Sequence, residues 1–257
     1  MYTSPEIQQC LRSKRVVFIG DSTARQLFYA MAHLADPTLP TSPPSMFEKH
    51  ADVSLPAGTG TWFDFFWDPF LNASKTETLL KGAGYSGRDR PAMLVLGSGL
   101  WYLRYRDEES GGGGISGWEA RMEQVLEQIK VSMPALADEV LILPGSFAVL
   151  NPDFSKLSPE RAAFIHKADI DAMNMDLLLR ISPFTTAYDP PVFPHAGSPE
   201  SQGPTTNSSS DATRNRPIPA LFPSVFNSLL HPSQTLDGLH YSSLVTKAQS
   251  QIILNLR

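Results

Sequence analysis

Apolar positions along the chain fall into short unbroken runs separated by longer stretches of helical spacing. Residues 15–19 (RVVFI), 91–99 (PAMLVLGSG) and 139–143 (EVLIL) are apolar runs bounded by charge, Gly or Pro, the pattern of strands buried on both faces. Residues 61–70 (TWFDFFWDPF) are aromatic and partly alternating, and predict a strand that stops near Asp68-Pro69. Helical patterns lie between these runs. Residues 23–35 place Leu27, Ala30, Met31 and Leu34 on one face and end before Pro37. Ser116 and Glu119 form a capping box that predicts a helix over about 117–131, and Ser158 with Pro159 opens one over 158–180. Shorter apolar patterns predict helices over 220–230 and 244–256. Strands alternating with helices imply an α/β fold of three layers, α/β/α, around a central parallel sheet.

Between the periodic segments, residues 37–44 are a Pro-rich loop and the four glycines at 111–114 read as slack chain or a hinge. Residues 183–219 hold eight of the 22 prolines and the tract TTNSSSD, and are expected to form an irregular insertion within a single domain spanning 1–257.

Composition narrows the classes without naming a function. The 257 residues are 42% hydrophobic and 18% charged, ordinary for a folded domain, and a formal net charge of −5 argues against a nucleic-acid partner. Cys10 is the only cysteine, so an internal disulfide and a cysteine-based zinc site are both excluded. His33, His50, His166, His195 and His231 show no metal-ligand spacing and read as surface or packing residues, so no metal is expected. The longest apolar run, 93–103, is too short and too broken to span a bilayer, and residues 1–15 lack the apolar core of a signal peptide. A soluble chain is therefore expected. Asn72-Ala73-Ser74 and Asn207-Ser208-Ser209 are glycosylation sequons for a secretory setting.

The chemistry is concentrated at the two ends. Gly20-Asp21-Ser22 stands where the first strand stops and the first helix starts, the edge of an α/β sheet at which ligands bind. Asp and Ser are both preferred helix caps, so this position alone favours capping over catalysis. Near the C-terminus, Asp237-Gly238-Leu239-His240 spaces an acid and an imidazole so that the carboxylate can hold one ring nitrogen and leave the other free as a base. The order Ser, Asp, His matches a nucleophile with its base and orienting acid. However, Gly20-Asp21-Ser22-Thr23-Ala24 lacks the second Gly of a nucleophile elbow. A phosphatase reading fails because no second Asp follows Asp21 two residues on.

Three segments together resemble the SGNH/GDSL hydrolase superfamily, and within it the PC-esterase group, specifically the catalytic domain of Cas1-type glycan O-acetyltransferases. They are KRVVFIGDS (14–22) with Arg25 and Phe28, FWDPFLN (66–72), and DGLHYS (237–242). The resemblance implies a flavodoxin-like SGNH sheet, with Ser22 as nucleophile, His240 as general base and Asp237 orienting it. It implies no bound cofactor, with the acetyl group arriving from acetyl-CoA or relayed through a multi-span membrane region of a longer protein. The implied acceptor is a glycan or polysaccharide hydroxyl, in the Golgi lumen or secretory pathway.

The same triad would serve an acetylesterase, and a non-catalytic carbohydrate-binding domain is the competing class. SGNH enzymes often carry an oxyanion-hole Asn after a later strand. Here that stretch is Gly97-Ser98-Gly99-Leu100-Trp101, so the backbone amides of Ser22, Gly58, Gly60 and Gly99 become the candidate donors. Arg25, Trp67 and Trp101 are candidate substrate contacts, although large aromatics are more often core.

Overall fold

The computed structural model describes residues 2–45, 48–85, 87–107, 112–132, 135–143, 154–181, 220–221 and 234–255. Its sheet is built from β1 (Arg15–Gly20), β2 (Val53–Ala57), β3 (Thr61–Trp67), β4 (Met93–Gly97), β5 (Glu139–Ile142) and β6 (Ala220–Leu221), in the order β2-β3-β1-β4-β5-β6. β3, β1, β4, β5 and β6 run parallel, and β2 pairs antiparallel to β3 at one edge. The helices are α1 (Ser4–Cys10), α2 (Ser22–Ala35), α3 (Ser74–Leu80), α4 (Leu100–Arg104), α5 (Gly114–Ser132), α6 (Pro159–Ala162), α7 (Lys167–Ile181) and α8 (Ser243–Asn255).

Alternation along β1 sorts the core into two layers. Val16 and Phe18 pack with Ile7 of α1, Leu27 and Phe28 of α2 and Ile253 of α8. Val17 and Ile19 pack with Leu79 of α3, Val125 of α5 and Leu177 of α7. Burial on both faces is why β1 and β4 read as continuous apolar runs. The three-layer α/β/α architecture follows directly.

The edges and helix limits depart from the sequence reading. β2 (VSLPA) is an additional strand: it carries Pro56, which an edge strand tolerates. α5 starts at Gly114, with the Gly117 amide donating to the Gly113 carbonyl, so Ser116 lies inside the first turn rather than capping it. Gly112 and Gly117 are tight packing positions, since a Cβ on either would stand within 2.1 Å of a backbone oxygen. The helix expected over 158–180 is broken between α6 and α7. Arg106 takes the Phe164 carbonyl at 2.9 Å and Asp169 at 2.6 Å, which draws the connecting turn off the helical path. Ala220–Leu221 forms β6 where a helix was expected; residues 222–230 and 183–219 lie outside the described residues. No described helix is long and apolar enough to cross a membrane.

One glycine sets the geometry of the strand end. Gly20, with φ 153°, pairs with Gly97 of β4 and Trp67 of β3, and a Cβ there would sit 2.1 Å from the Gly97 carbonyl oxygen. Gly20→Ala is expected to cost about 3 kcal/mol, seen as a Tm fall of roughly 6–12 °C in a thermal melt. An unchanged Tm would mean that the two strands do not approach this closely.

Candidate active site

The helix that follows β1 separates the two functions that Asp21 and Ser22 were competing for. Asp21 is the N-cap of α2: its buried carboxylate accepts from the Thr23 amide at 2.8 Å and the Thr23 hydroxyl at 2.7 Å. Burial pushes the Asp21 carboxyl up, and the Thr23 hydrogen bonds pull against that. With the cap supplied by Asp21, the hydroxyl of Ser22 is released from that duty. It lies 2.8 Å from Nε2 of His240.

Ser22 and His240 are 218 residues apart in sequence, and the packing of α8 against α2 in one core layer closes that gap. Just before α8, a bridge between Thr235 and Tyr241, with the Leu236 amide donating to the His240 carbonyl at 2.7 Å, folds residues 236–240 into a tight loop. Gly238 turns it with φ 87°. The side chain of Gln26 on α2 reaches the Tyr241 carbonyl at 3.3 Å and ties the loop to the helix start.

Within this loop Asp237 accepts from its own turn. Oδ1 receives the Leu239 amide at 3.1 Å and the His240 amide at 2.9 Å, and Oδ2 lies 2.9 Å from Nδ1 of His240. An ionised carboxylate can only accept, so Nδ1 carries the ring proton, and Nε2 of the neutral ring is left to accept from the Ser22 hydroxyl. Partial burial would raise the Asp237 carboxyl, but the hydrogen bonds from His240 and from Arg161 outweigh it and hold it well below the usual carboxylate range. Arg161 of α6 donates to Oδ2 at 2.7 Å, a contact that no sequence motif announced.

A cleft of about 740 Å³ opens over this cluster, its lining including Arg25, Trp67, Trp101 and Arg104. Trp67 and Trp101 meet edge to face with centroids 5.6 Å apart. Both are half-buried in the cleft wall, and Trp67 also packs against the core layer that holds Phe65. His50, expected as surface or packing, stacks on Trp67 at 4.2 Å and lines the same cleft; burial and then the neighbouring Arg25 and Lys49 lower its pKa. The guanidinium of Arg25 lies 5.3 Å from the Trp67 ring centroid.

The expectation of oxyanion donors at Gly58 and Gly60 is corrected by strand register. They precede Thr61, the first residue of β3, whereas Gly20, two residues before Ser22, pairs with Trp67 at the other end of that strand. The length of the strand, about 20 Å at roughly 3.3 Å per residue, stands between them. The Gly58 amide is instead 3.2 Å from the Asp36 carboxylate. Gly99 does lie at the correct edge, as N-cap of α4, two residues beyond the Gly97 that pairs with Gly20. Tyr29, Lys49, Arg104, Tyr105 and Arg161 also line the cleft and were not singled out from sequence. Tyr29 alone had a signal available, since it follows Arg25 by four residues on a predicted helix.

Comparison with known proteins gives partial relatives and distant folds. No family model matches the chain. It is 28% identical over 137 residues, 53% of its length, to the N-acetylneuraminate (7)9-O-acetyltransferase of Danio rerio, and spans 15% of that protein. Among solved structures it is similar to an acetylxylan esterase from Geobacillus stearothermophilus, with a TM-score of 0.48 at 12% identity, covering 95% of this chain and 94% of that one. A catalytic mutant of the same esterase gives a TM-score of 0.47 at 10% identity.

Proposed function

We propose that the chain is an acetyl-processing enzyme that passes an acyl group through Ser22, with a sugar hydroxyl as its natural acceptor. The observation that carries this reading is the 2.8 Å contact between Ser22 Oγ and His240 Nε2, with Nδ1 of the same ring held by Asp237. As the hydroxyl attacks an acetyl carbonyl, His240 takes its proton, and Asp237 keeps the ring in the required tautomer and offsets the charge that forms on it. The oxyanion develops beside the Ser22 amide at the start of α2, where the helix dipole is positive, with the Gly99 amide at the neighbouring strand end as the further donor. His240 then returns its proton to the leaving group and activates the next acceptor.

A partial relative, named as an O-acetyltransferase of N-acetylneuraminate, supports transfer as the natural outcome. Hydrolysis is the same sequence with water as acceptor. The Cas1-type assignment, acetyl-CoA or a membrane-relayed acetyl group as donor, and a Golgi setting belong to this proposal and follow the resemblance of the three motifs. The test is covalent. A fluorophosphonate should label Ser22 and no other serine, and incubation with an acetyl donor and a glycan should place one acetyl group on the sugar, read by mass spectrometry. A folded chain that takes no label and leaves every acetyl ester intact would end the proposal in favour of a carbohydrate-binding domain.

A further inference from the structure

β3 and β4 are not neighbours in the sheet: β1 lies between them and keeps their backbones roughly 9–10 Å apart, twice the strand spacing. Beyond the end of β1, however, the two flanking chains are joined. The Ser98 hydroxyl, one residue past β4, donates to the Pro69 carbonyl at 2.7 Å, and the Tyr102 hydroxyl donates to the Phe70 carbonyl at 2.8 Å. Both side chains are buried. Arg121 takes the next carbonyl, that of Leu71, at 2.9 Å. At the start of the same loop the Asp68 amide donates to the Gly20 carbonyl at 3.1 Å. A clasp of buried hydrogen bonds therefore crosses the end of β1, where the chain passes into Ser22.

The peptide beside this clasp is left with an open donor. Gly99 is buried, and its amide has no hydrogen-bond acceptor among the described residues. Buried backbone N–H groups without an acceptor are rare in folded proteins. This one belongs to a peptide pinned on both sides. Ser98 before it is anchored through its side chain, and the Gly99 carbonyl after it accepts the Tyr102 and Leu103 amides at 3.0 and 3.3 Å. Gly99 and Ser22 each stand two residues beyond the paired Gly97 and Gly20, on neighbouring chain ends. Leu100, the residue after Gly99, lines the cleft together with Ser22.

We infer that Ser98 is a positioning residue for the oxyanion hole: by tying the end of β4 to the Pro69 carbonyl, it holds the Gly99 amide where negative charge develops beside Ser22. The inference rests on the acyl-transfer reading and adds a residue to it. Oxyanion donors work by being fixed before the charge forms, so a donor released from its anchor loses much of its value. Serine suits the anchor because its hydroxyl hangs on a single staggered torsion, which one hydrogen bond fixes. Tyr102 is the second anchor of the same clasp. Neither hydroxyl has a part in the proton transfer between Ser22 and His240, so both act only through the backbone they hold.

The experiment measures turnover of 4-nitrophenyl acetate and the affinity of ethylboronic acid on the full chain. In the boronate adduct a bond forms from Ser22 Oγ to boron, His240 keeps the proton, and the tetrahedral boron centre carries the negative charge, so one of its oxygens stands in for the oxyanion. Ser98→Ala is expected to lower kcat by about 10²-fold with KM within about twofold, and to weaken the boronate by a similar factor. Ser98→Thr, which restores a hydroxyl, should recover most of both losses, and Ser98→Cys, a weaker donor, less. A native kcat in Ser98→Ala, or a fallen kcat with native boronate affinity, would overturn the inference and leave the clasp as loop packing. If a thermal melt shows that Ser98→Ala does not fold, Tyr102→Phe decides. There, kcat and boronate affinity falling together support the inference, and any other pattern overturns it. A native chain that neither turns over the ester nor takes the fluorophosphonate label would overturn acyl transfer itself, and this inference with it.

Discussion

Ser22→Ala is expected to lower acetyl-ester turnover by about 10⁴–10⁶-fold while leaving the melting temperature close to that of the native chain. The second half of that expectation comes from the division of labour at the start of α2. Asp21, not Ser22, accepts the Thr23 amide, so removing the Ser22 hydroxyl breaks no helix cap. Asp21→Ala should show the reverse pattern in stability, a loss of about 1 kcal/mol for the missing cap. His240→Ala should be as damaging to turnover as Ser22→Ala, and the double variant no worse than either alone, because the two groups act on one proton. The measurement is steady-state hydrolysis of a small acetyl ester, paired with a thermal melt of each variant. Turnover surviving in Ser22→Ala, or additive losses in the double variant, would show that the hydroxyl at the helix start is structural after all.

How much of this arrangement could be read from sequence depended on whether the signal was local. β1, β4 and β5 were legible because burial on both faces leaves an unbroken apolar run with Gly, Pro or charge at its ends. β2 was not, because it is a short edge strand with only three inward positions, and its Pro56 reads as a breaker. α1 was missed although its Thr3-x-x-Glu6 capping box is present in the sequence, a signal overlooked rather than absent. The break between α6 and α7 is different in kind. It depends on Arg106, more than fifty residues away, capturing the Phe164 carbonyl, and no local pattern encodes that.

The site divides in the same way. Ser22, Asp237 and His240 were found because each sits in a short motif whose spacing carries chemical meaning. The structure adds that the three converge, through α8 packing on α2. Gly58 and Gly60 were misplaced because a glycine pair looks the same at either end of a strand, and only the register of β3 against β1 tells the ends apart. Arg161 and His50 reach the cleft from segments whose sequences carry no catalytic spacing. What tertiary packing alone brings together, one-dimensional spacing does not show.

Asp237→Asn provides the sharpest test of how the imidazole is held. An Asn side chain can turn its NH₂ toward Nδ1, which then becomes the acceptor and leaves the proton on Nε2, where it blocks transfer from Ser22. A loss of about 10⁴-fold in kcat is expected, the size found for the equivalent change in the serine-protease triad. Arg161→Gln removes a cation from the same carboxylate oxygen but leaves the tautomer correct, so its expected cost is smaller, about tenfold. Reversal of that order would show that Arg161, rather than the Asp237–His240 contact, sets the geometry. The pH dependence provides an independent check. The Asp237 carboxyl is held below its ordinary range, so its contribution is present above the pH at which it titrates when unfolded. That contribution is lost only as pH falls through the lower folded value. Across the ordinary carboxylate range Asp237 therefore stays ionised. The acid limb of log kcat/KM against pH should descend with the slope of one proton. A slope of two in the native chain would mean that Asp237 is titrating together with the base, and that its hydrogen bonds from His240 and Arg161 do not hold in solution.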